Sequence, residues 1–224
     1  AAALIGIAPP VFYADAKAIV VNHVEGRTFA EDDVRSDANL ARILPLIRRT
    51  HVEAYRHLRG PVCAFWPFRV CRDYGFFLEE QGGGMASEVD RLRAVNERLE
   101  VIVGPIEVVL GHNDLLAGNF IDDGARIWLI DWEHAGLSSP LFDLANLASN
   151  NSLSDAQENW LLENYFERTA DEELQRRFRA MKCASILREA MWSMVSESTS
   201  TLDFDYAAYA DQYMARFEAE YEGL

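Results

Sequence analysis

Residues 110–150 read LGHNDLLAGNFIDDGARIWLIDWEHAGLSSPLFDLANLASN, and the reading of this stretch decides the fold. His112, Asp114 and Asn119 form an H-x-D-x-x-x-x-N pattern, and Asp131 follows. Two short apolar runs, 119–121 and 125–130, flank Asp122-Asp123-Gly124, a strong hairpin turn signal. A hairpin brings its ends together, so the spacing predicts Asn119 beside Asp131, an amide oxygen and a carboxylate able to share a hard cation such as Mg²⁺. Asp114 then sits just outside that pair. These are the residue types of metal-assisted phosphoryl transfer, which asks a protein mainly for positioning and charge neutralisation. His112 reads as packing or hydrogen-bonding support beneath the loop, because the carboxylate two residues on already fills the role of base. By the period of two, Glu133 shares a strand face with Asp131; it either faces metal or substrate or is an ordinary exposed carboxylate. Ser139-Pro140 opens a helix.

The run HNDLLAGN followed by IDWE and FDLAN resembles the choline/ethanolamine kinase family within the kinase-like phosphotransferases, and the wider aminoglycoside phosphotransferase group. The resemblance implies an α+β, protein-kinase-like fold: a truncated small β lobe over residues 1–24, ending at a hinge, and a mainly helical large lobe over 25–224 that holds the catalytic β-hairpin. It implies ATP and Mg²⁺ as cofactors and phosphorylation of the hydroxyl of a small amino alcohol, choline or ethanolamine. Asp114 would accept the hydroxyl proton, Asn119 and Asp131 would hold Mg²⁺, and Asp143 would brace the catalytic loop. At the hinge the carbonyl of Asn22 and the amide of Val24 would bind the adenine edge. The sequence contains no Gly-rich loop over the phosphates, strand Lys or Glu partner for that Lys, so a chain starting at Ala1 is expected to hold ATP poorly. Gly82-Gly83-Gly84, after the hinge, reads as an exposed turn and no substitute.

The C-terminal piece SILREAMWSMVSESTSTLDFDYAAYADQYMARFEAEY also resembles choline kinases, whose aromatic substrate cage would here use Trp192, Phe204 and Tyr209. A quaternary ammonium has no N–H to donate, so its recognition comes from aromatic faces, about 0.5–2 kcal/mol each, and nearby carboxylates. Core packing is the competing reading of each aromatic. Glu189 stands where the family commonly has a second Trp, His134 where it has Tyr, and Asn150 where it has a substrate-facing Glu. Glu189 precedes Trp192 by three residues and so shares its helix face. A carboxylate and an aromatic on one wall, with the polar edge of His134, are expected to suit an ammonium that carries N–H donors. Two rival readings stay open: a kinase of a bulkier cationic alcohol, such as an aminoglycoside or thiamine, and a pseudokinase-type binding module.

Composition bounds the remainder. Half of the 224 residues are hydrophobic, enough for a real core in one or two domains. A net charge of −15 argues against nucleic acid or an anionic membrane as partner and suits a cationic substrate. No apolar run reaches the ~20 residues of a membrane helix, so membrane insertion is not expected. Cys63, Cys71 and Cys183 form no C-x-x-C pair and are odd in number, which points to core packing in a reducing, cytoplasmic compartment. A homodimer is left open.

Along the chain, residues 1–10 read as a helix end running into a loop, and 11–13 and 18–21 as strands. Residues 37–51 carry Leu40, Ile43, Leu44, Ile47 and His51 at helical spacing, with His51 as a core-edge histidine and Pro45 expected to kink or break the helix. Residues 62–74 show no clean period. Residues 87–103 form an amphipathic helix ended by Gly104-Pro105 and expected beneath the catalytic loop. Residues 107–110 form a strand. A capping box at Ser154–Gln157 starts one further helix, and two more cover 172–196 and 205–221.

Overall fold

The structure is a computed structural model that describes residues 1–81 and 86–224; the turn expected at Gly82-Gly83-Gly84 lies outside the described residues. In chain order the first elements are β1 (Val11–Ala14), β2 (Ile19–Val21), β3 (Arg27–Thr28), α1 (Glu31–Val34), α2 (Asp37–Glu53), α3 (Pro67–Gln81) and α4 (Ala86–Val103). Then follow β4 (Val109–Gly111), β5 (Phe120–Asp122), β6 (Ile127–Leu129), β7 (Gly136–Ser138), α5 (Pro140–Asn150), α6 (Asp155–Phe166), α7 (Glu172–Thr199) and α8 (Tyr206–Glu222). The strands are short and antiparallel and the rest is mainly helical, an α+β chain. Two compact units are formed, one from residues 1–65 and 107–169, the other from 66–106 and 170–224. This is a different partition from the lobe boundary expected at residues 24 and 25, which it does not address.

In the first unit β5 and β6 pair in the register Phe120↔Leu129, Ile121↔Trp128 and Asp122↔Ile127, and β3 adds to β5. The turn is built by its own side chains: Asp123 Oδ1 accepts the amides of Ala125 and Arg126 at 2.8 Å each, Asp122 Oδ1 accepts that of Gly124, and Gly124 takes a φ of +88° that glycine tolerates. Arg42 of α2 makes a bidentate pair with Asp122, at 2.6 and 2.9 Å, and holds that carboxyl down at about 2. Residues 1–8 form turns, not a helix end; Ile5 and Ile7 are buried, and the Leu129 amide donates to the Ile7 carbonyl. α2 runs unbroken through Pro45. Its apolar stripe of Leu40, Ile43, Leu44 and Ile47 is buried. At about 1.5–3 kcal/mol for each such side chain, that burial outweighs the ~3 kcal/mol cost of an interior proline whose ring faces solvent. β4 pairs with β7, a strand without a sequence signal, through Val109↔Ser138, Leu110↔Leu137 and Gly111↔Gly136.

In the second unit α3, α4, α7 and α8 pack together. α3 occupies part of the stretch without clean periodicity. It opens on Pro67, whose fixed φ suits a first helical turn, and buries Phe68, Cys71 and Gly75 at helical spacing. α4 buries Val89, Leu92, Val95 and Leu99, ends at Gly104 with φ +62°, and finds its partners in α3 and α7. Asp171 caps α7 through the Leu174 amide, and Asp205 caps α8 through the Ala208 amide. Cys71 and Cys183 are core residues, and burial pushes both thiols up to about 12. Cys63 is exposed, against the expectation of packing, because it lies in the loop after α2. No helix among the described residues is long and apolar enough to cross a membrane.

Candidate active site

The hairpin register sets the first contact. The Ile130 amide donates to the Asn119 carbonyl at 3.0 Å, one step beyond the Phe120↔Leu129 pair, so Asp131 is the next residue after one bonded to Asn119. Asn119 is buried, and its Nδ2 donates to the Asp114 carbonyl at 2.8 Å and to Asp114 Oδ2 at 3.3 Å. With both contacts on the nitrogen, the amide oxygen is the end left for a hard cation. Asp131 is exposed and holds φ at +61°, in the left-handed region where non-glycine residues are uncommon and cluster at functional sites. β6 ends at Leu129 and the Ala135 amide donates to the Trp132 carbonyl, so residues 132–135 form a turn and Asp131 lies just before it. The shared strand face expected for Asp131 and Glu133 therefore does not exist, because alternation ends with the strand. Glu133 pairs instead with His134, Oε1 to Nε2 at 3.4 Å, both exposed.

A second layer holds the loop from below. His112 is buried; its Nε2 donates to the Ile130 carbonyl at 2.9 Å, and its Nδ1 accepts the Asp114 amide at 3.3 Å. Those two bonds require the neutral imidazole, and burial lowers the His112 pKa in the same sense. Its ring meets Trp132 edge-on at 4.6 Å. From α5, Asp143 Oδ2 accepts the His112 amide at 2.8 Å and Oδ1 accepts the Asn113 amide at 2.7 Å. Asn146, three residues on and so on the same face, accepts the Leu115 amide at 2.5 Å, and Asn151 donates to the Leu115 carbonyl at 2.9 Å. His51 completes the arrangement with Nε2 at 2.8 Å from Asp143 Oδ2 and Nδ1 at 2.7 Å from the Tyr165 hydroxyl. Burial works to raise the Asp143 carboxyl, but the hydrogen bond and charge of His51 prevail and hold it below the usual carboxylate value. Asn22 and Val24 lie in the connection between β2 and β3, after an Asn22 amide bond to the Pro10 carbonyl at 2.9 Å.

In the second unit the three expected aromatics come together. Trp192 meets Tyr209 at 6.2 Å and Phe204 meets Tyr209 at 5.5 Å, both edge-on, and Tyr206 and Tyr213 extend the cluster. Phe204 is half exposed, while Trp192 and Tyr209 are half-buried. Glu189 is buried within reach of them, and both its oxygens are engaged. Its Oε1 accepts the Tyr209 hydroxyl at 3.2 Å and its Oε2 pairs with the guanidinium of Arg188. Burial and the Glu189 charge raise the Tyr209 pKa, which keeps that hydroxyl a donor.

The family described as choline/ethanolamine kinase matches residues 81–218 of this chain, which include the loop, the hairpin, α5, α7 and the aromatic cluster. The chain belongs to the choline/ethanolamine kinase family. A choline/ethanolamine kinase family protein from Mesorhizobium loti shares the fold with a TM-score of 0.81 at 26% identity, over 98% of this chain and 76% of that one. The ethanolamine kinase of Drosophila melanogaster is 28% identical over 94% of this chain and 48% of its own length. Protein LicA of Haemophilus influenzae is 30% identical over 64% of this chain and 44% of its own. The chain thus spans about half the length of these two relatives.

Within this family member, His51, Asn146, Asn151 and Tyr165 are the neighbours of the 112–119 loop that the sequence did not announce. Asn146 alone had a local signal, the three-residue step from Asp143. The others are joined to the site by partners far away in sequence: His51 meets Asp143 across 92 residues.

Proposed function

We propose that this protein transfers the γ-phosphoryl group of ATP to the hydroxyl of a small amino alcohol, choline or ethanolamine. The reading is carried by one observation: Asn119 binds Asp114 through its side-chain nitrogen and Ile130 through its carbonyl, which gathers Asp114, Asn119 and Asp131 at the end of one hairpin. Asp114 accepts the proton of the substrate hydroxyl as its oxygen attacks phosphorus and ADP leaves. The Asn119 amide oxygen and the Asp131 carboxylate are hard oxygen donors that fit Mg²⁺, which takes one or two protein ligands and completes its shell with phosphates and water. Bound there, the ion would neutralise charge on the phosphates. The main chain of Asn22 and Val24 holds the adenine edge. Trp192, Phe204 and Tyr209 receive the ammonium end of the substrate through their faces. Because Arg188 already balances Glu189, the attraction comes mainly from the aromatic faces; Glu133 and His134 are read as further substrate-binding groups. Asp143 and His112 support the loop.

Asp114→Ala in the intact protein tests this directly. The kcat for choline and ethanolamine, followed by ³¹P NMR of the phosphomonoester, should fall by ~10²–10⁴-fold with the KM for ATP little changed. An unchanged kcat on both alcohols would remove Asp114 from the mechanism.

A further inference from the structure

The stretch around residue 65, which has no clean period in the sequence, is docked onto the strand that follows the catalytic hairpin. Residues 63–65 run parallel to β7: the Leu137 amide donates to the Cys63 carbonyl and the Phe65 amide to the Leu137 carbonyl, at 2.8 Å each, around the bridge Ala64↔Leu137. So close an approach requires a glycine. A Cβ on Gly136 would lie 2.6 Å from the Cys63 carbonyl oxygen and 3.5 Å from the Phe65 Cβ, so any other residue there would push the segment away. Phe65 is thereby held with its ring 5.2 Å from that of Phe142, tilted by 35°, and 6.1 Å from that of His134, edge-on at 62°. Phe142 is fully buried and Phe65 only half-buried, so the Phe65 ring rests on the core on one side and meets solvent on the other, next to the turn that carries Glu133 and His134. That turn is tied to the catalytic loop, because Asn113 Nδ2 donates to the His134 carbonyl at 2.9 Å and Asp114 is the next residue. Core packing would be served best by burying the ring completely; the segment instead leaves it half in solvent near an exposed carboxylate, Glu133, which pairs with His134.

We propose that Phe65 is a specificity-determining residue that presents an aromatic face to the ammonium end of the alcohol. The face of an aromatic ring carries negative charge and attracts a cation, and the Glu133 carboxylate adds to that attraction. The proposal rests on the reading of this protein as a kinase of amino alcohols. Phe65 and Asp114 belong to the same compact unit, so one frame positions both the ring and the base. The close approach at Gly136 is what fixes the ring beside His134, and it gives the segment before α3 a part in the reaction.

The test uses Phe65→Leu and Phe65→Tyr in the intact protein, with choline, ethanolamine and the neutral carbon isostere of choline, dimethylbutanol, as acceptors. Leucine keeps an apolar body against Phe142 and removes the face; tyrosine keeps the face. Phe65→Leu should raise KM for choline and ethanolamine about 3- to 30-fold, with kcat and the KM for ATP within about twofold of wild type. Its KM for dimethylbutanol should stay within about twofold, because a neutral acceptor gains nothing from the charge of the ring face. Phe65→Tyr should stay within about twofold for all three acceptors. A merely structural role would move charged and neutral acceptors alike. A Phe65→Leu KM for choline within about twofold of wild type overturns the proposal; so does an equal rise for dimethylbutanol, or a Tyr variant as poor as Leu. If Phe65→Leu does not fold, pentafluorophenylalanine in place of Phe65 decides, since it keeps the shape of the ring and reverses the charge of its face: a raised KM for choline upholds the contact, and an unchanged one refutes it. Should the wild type phosphorylate neither alcohol, the reading of the reaction fails on its own, and calorimetry with tetramethylammonium judges Phe65 separately. Binding weakened about threefold or more by Phe65→Leu upholds the contact, while equal binding, or none by the wild type, overturns it.

Discussion

Replacing Asp143 by Asn keeps the shape of the side chain while removing its charge and one of its two acceptor atoms, and the consequences can be worked from three bonds. The carboxylate accepts His51 Nε2 and the His112 amide on Oδ2 and the Asn113 amide on Oδ1. The best placement of the new amide leaves its oxygen in the Oδ2 position and turns its NH₂ toward the Asn113 N–H, donor against donor. One buried amide then goes unsatisfied, at about 1–3 kcal/mol, and two hydrogen bonds fall from charged to neutral strength, at about 1 kcal/mol each. Relief from desolvating a carboxylate offsets part of this. The net loss should be about 2–4 kcal/mol at pH 7, read by urea unfolding with tryptophan fluorescence, since Trp132 lies against His112. The pH dependence adds a second check. The Asp143 pKa is lowered from 3.8 by His51 against the opposing effect of burial, so its contribution is present above the unfolded value and lost as pH falls through the lower folded one. The gap between wild type and variant should therefore narrow below about pH 4. A gap under about 1 kcal/mol at pH 7, or one that stays constant into acid, would refute the view of Asp143 as an ionised brace of the loop.

Two further outcomes follow from the same geometry. Asp131→Asn keeps a residue type that tolerates a positive φ and removes only the charge; calorimetry should show Mg·ATP affinity reduced by about tenfold or more, about 1.4 kcal/mol, and undiminished affinity would dismiss Asp131 as a metal ligand. Arg188→Met leaves Glu189 buried without its cation, the side chains being 5% and 10% exposed, and should cost about 3–5 kcal/mol in urea unfolding, most of it recovered by adding Glu189→Gln. A loss from Arg188→Met under about 1 kcal/mol would show that the pair is not what holds that carboxylate in place.

Where local chemistry is dense, the sequence was legible. Asp122-Asp123-Gly124 carries its own turn, because its carboxylates bind amides within three residues, and the hairpin that follows puts Asn119 next to the residue before Asp131 with no help from elsewhere. Capping residues did the same for helices: Ser139 and Ser154 each bind an amide two or three residues on. The motifs likewise sufficed for family and fold, since HNDLLAGN, IDWE and FDLAN and their spacing are written in one continuous stretch.

Tertiary structure decided what depends on partners distant in sequence. Pro45 stays inside α2 because four buried side chains outweigh a lost backbone bond, and propensity alone has no access to that burial. β7 exists because β4 is there to pair with it. Asp131 lies beyond the end of β6 and not on a strand face because β6 stops once its partner strand does, which undid the alternation argument for Glu133. Glu189 read as a carboxylate acceptor on one wall with Trp192; that its neighbour Arg188 and Tyr209, twenty residues away, engage both its oxygens came only from the packing. His51 showed only as an apolar-face histidine. Its bond to Asp143 exists because α2 and α5 place the two side chains together, and a hydrogen bond between groups 92 residues apart leaves no mark on the local pattern of either.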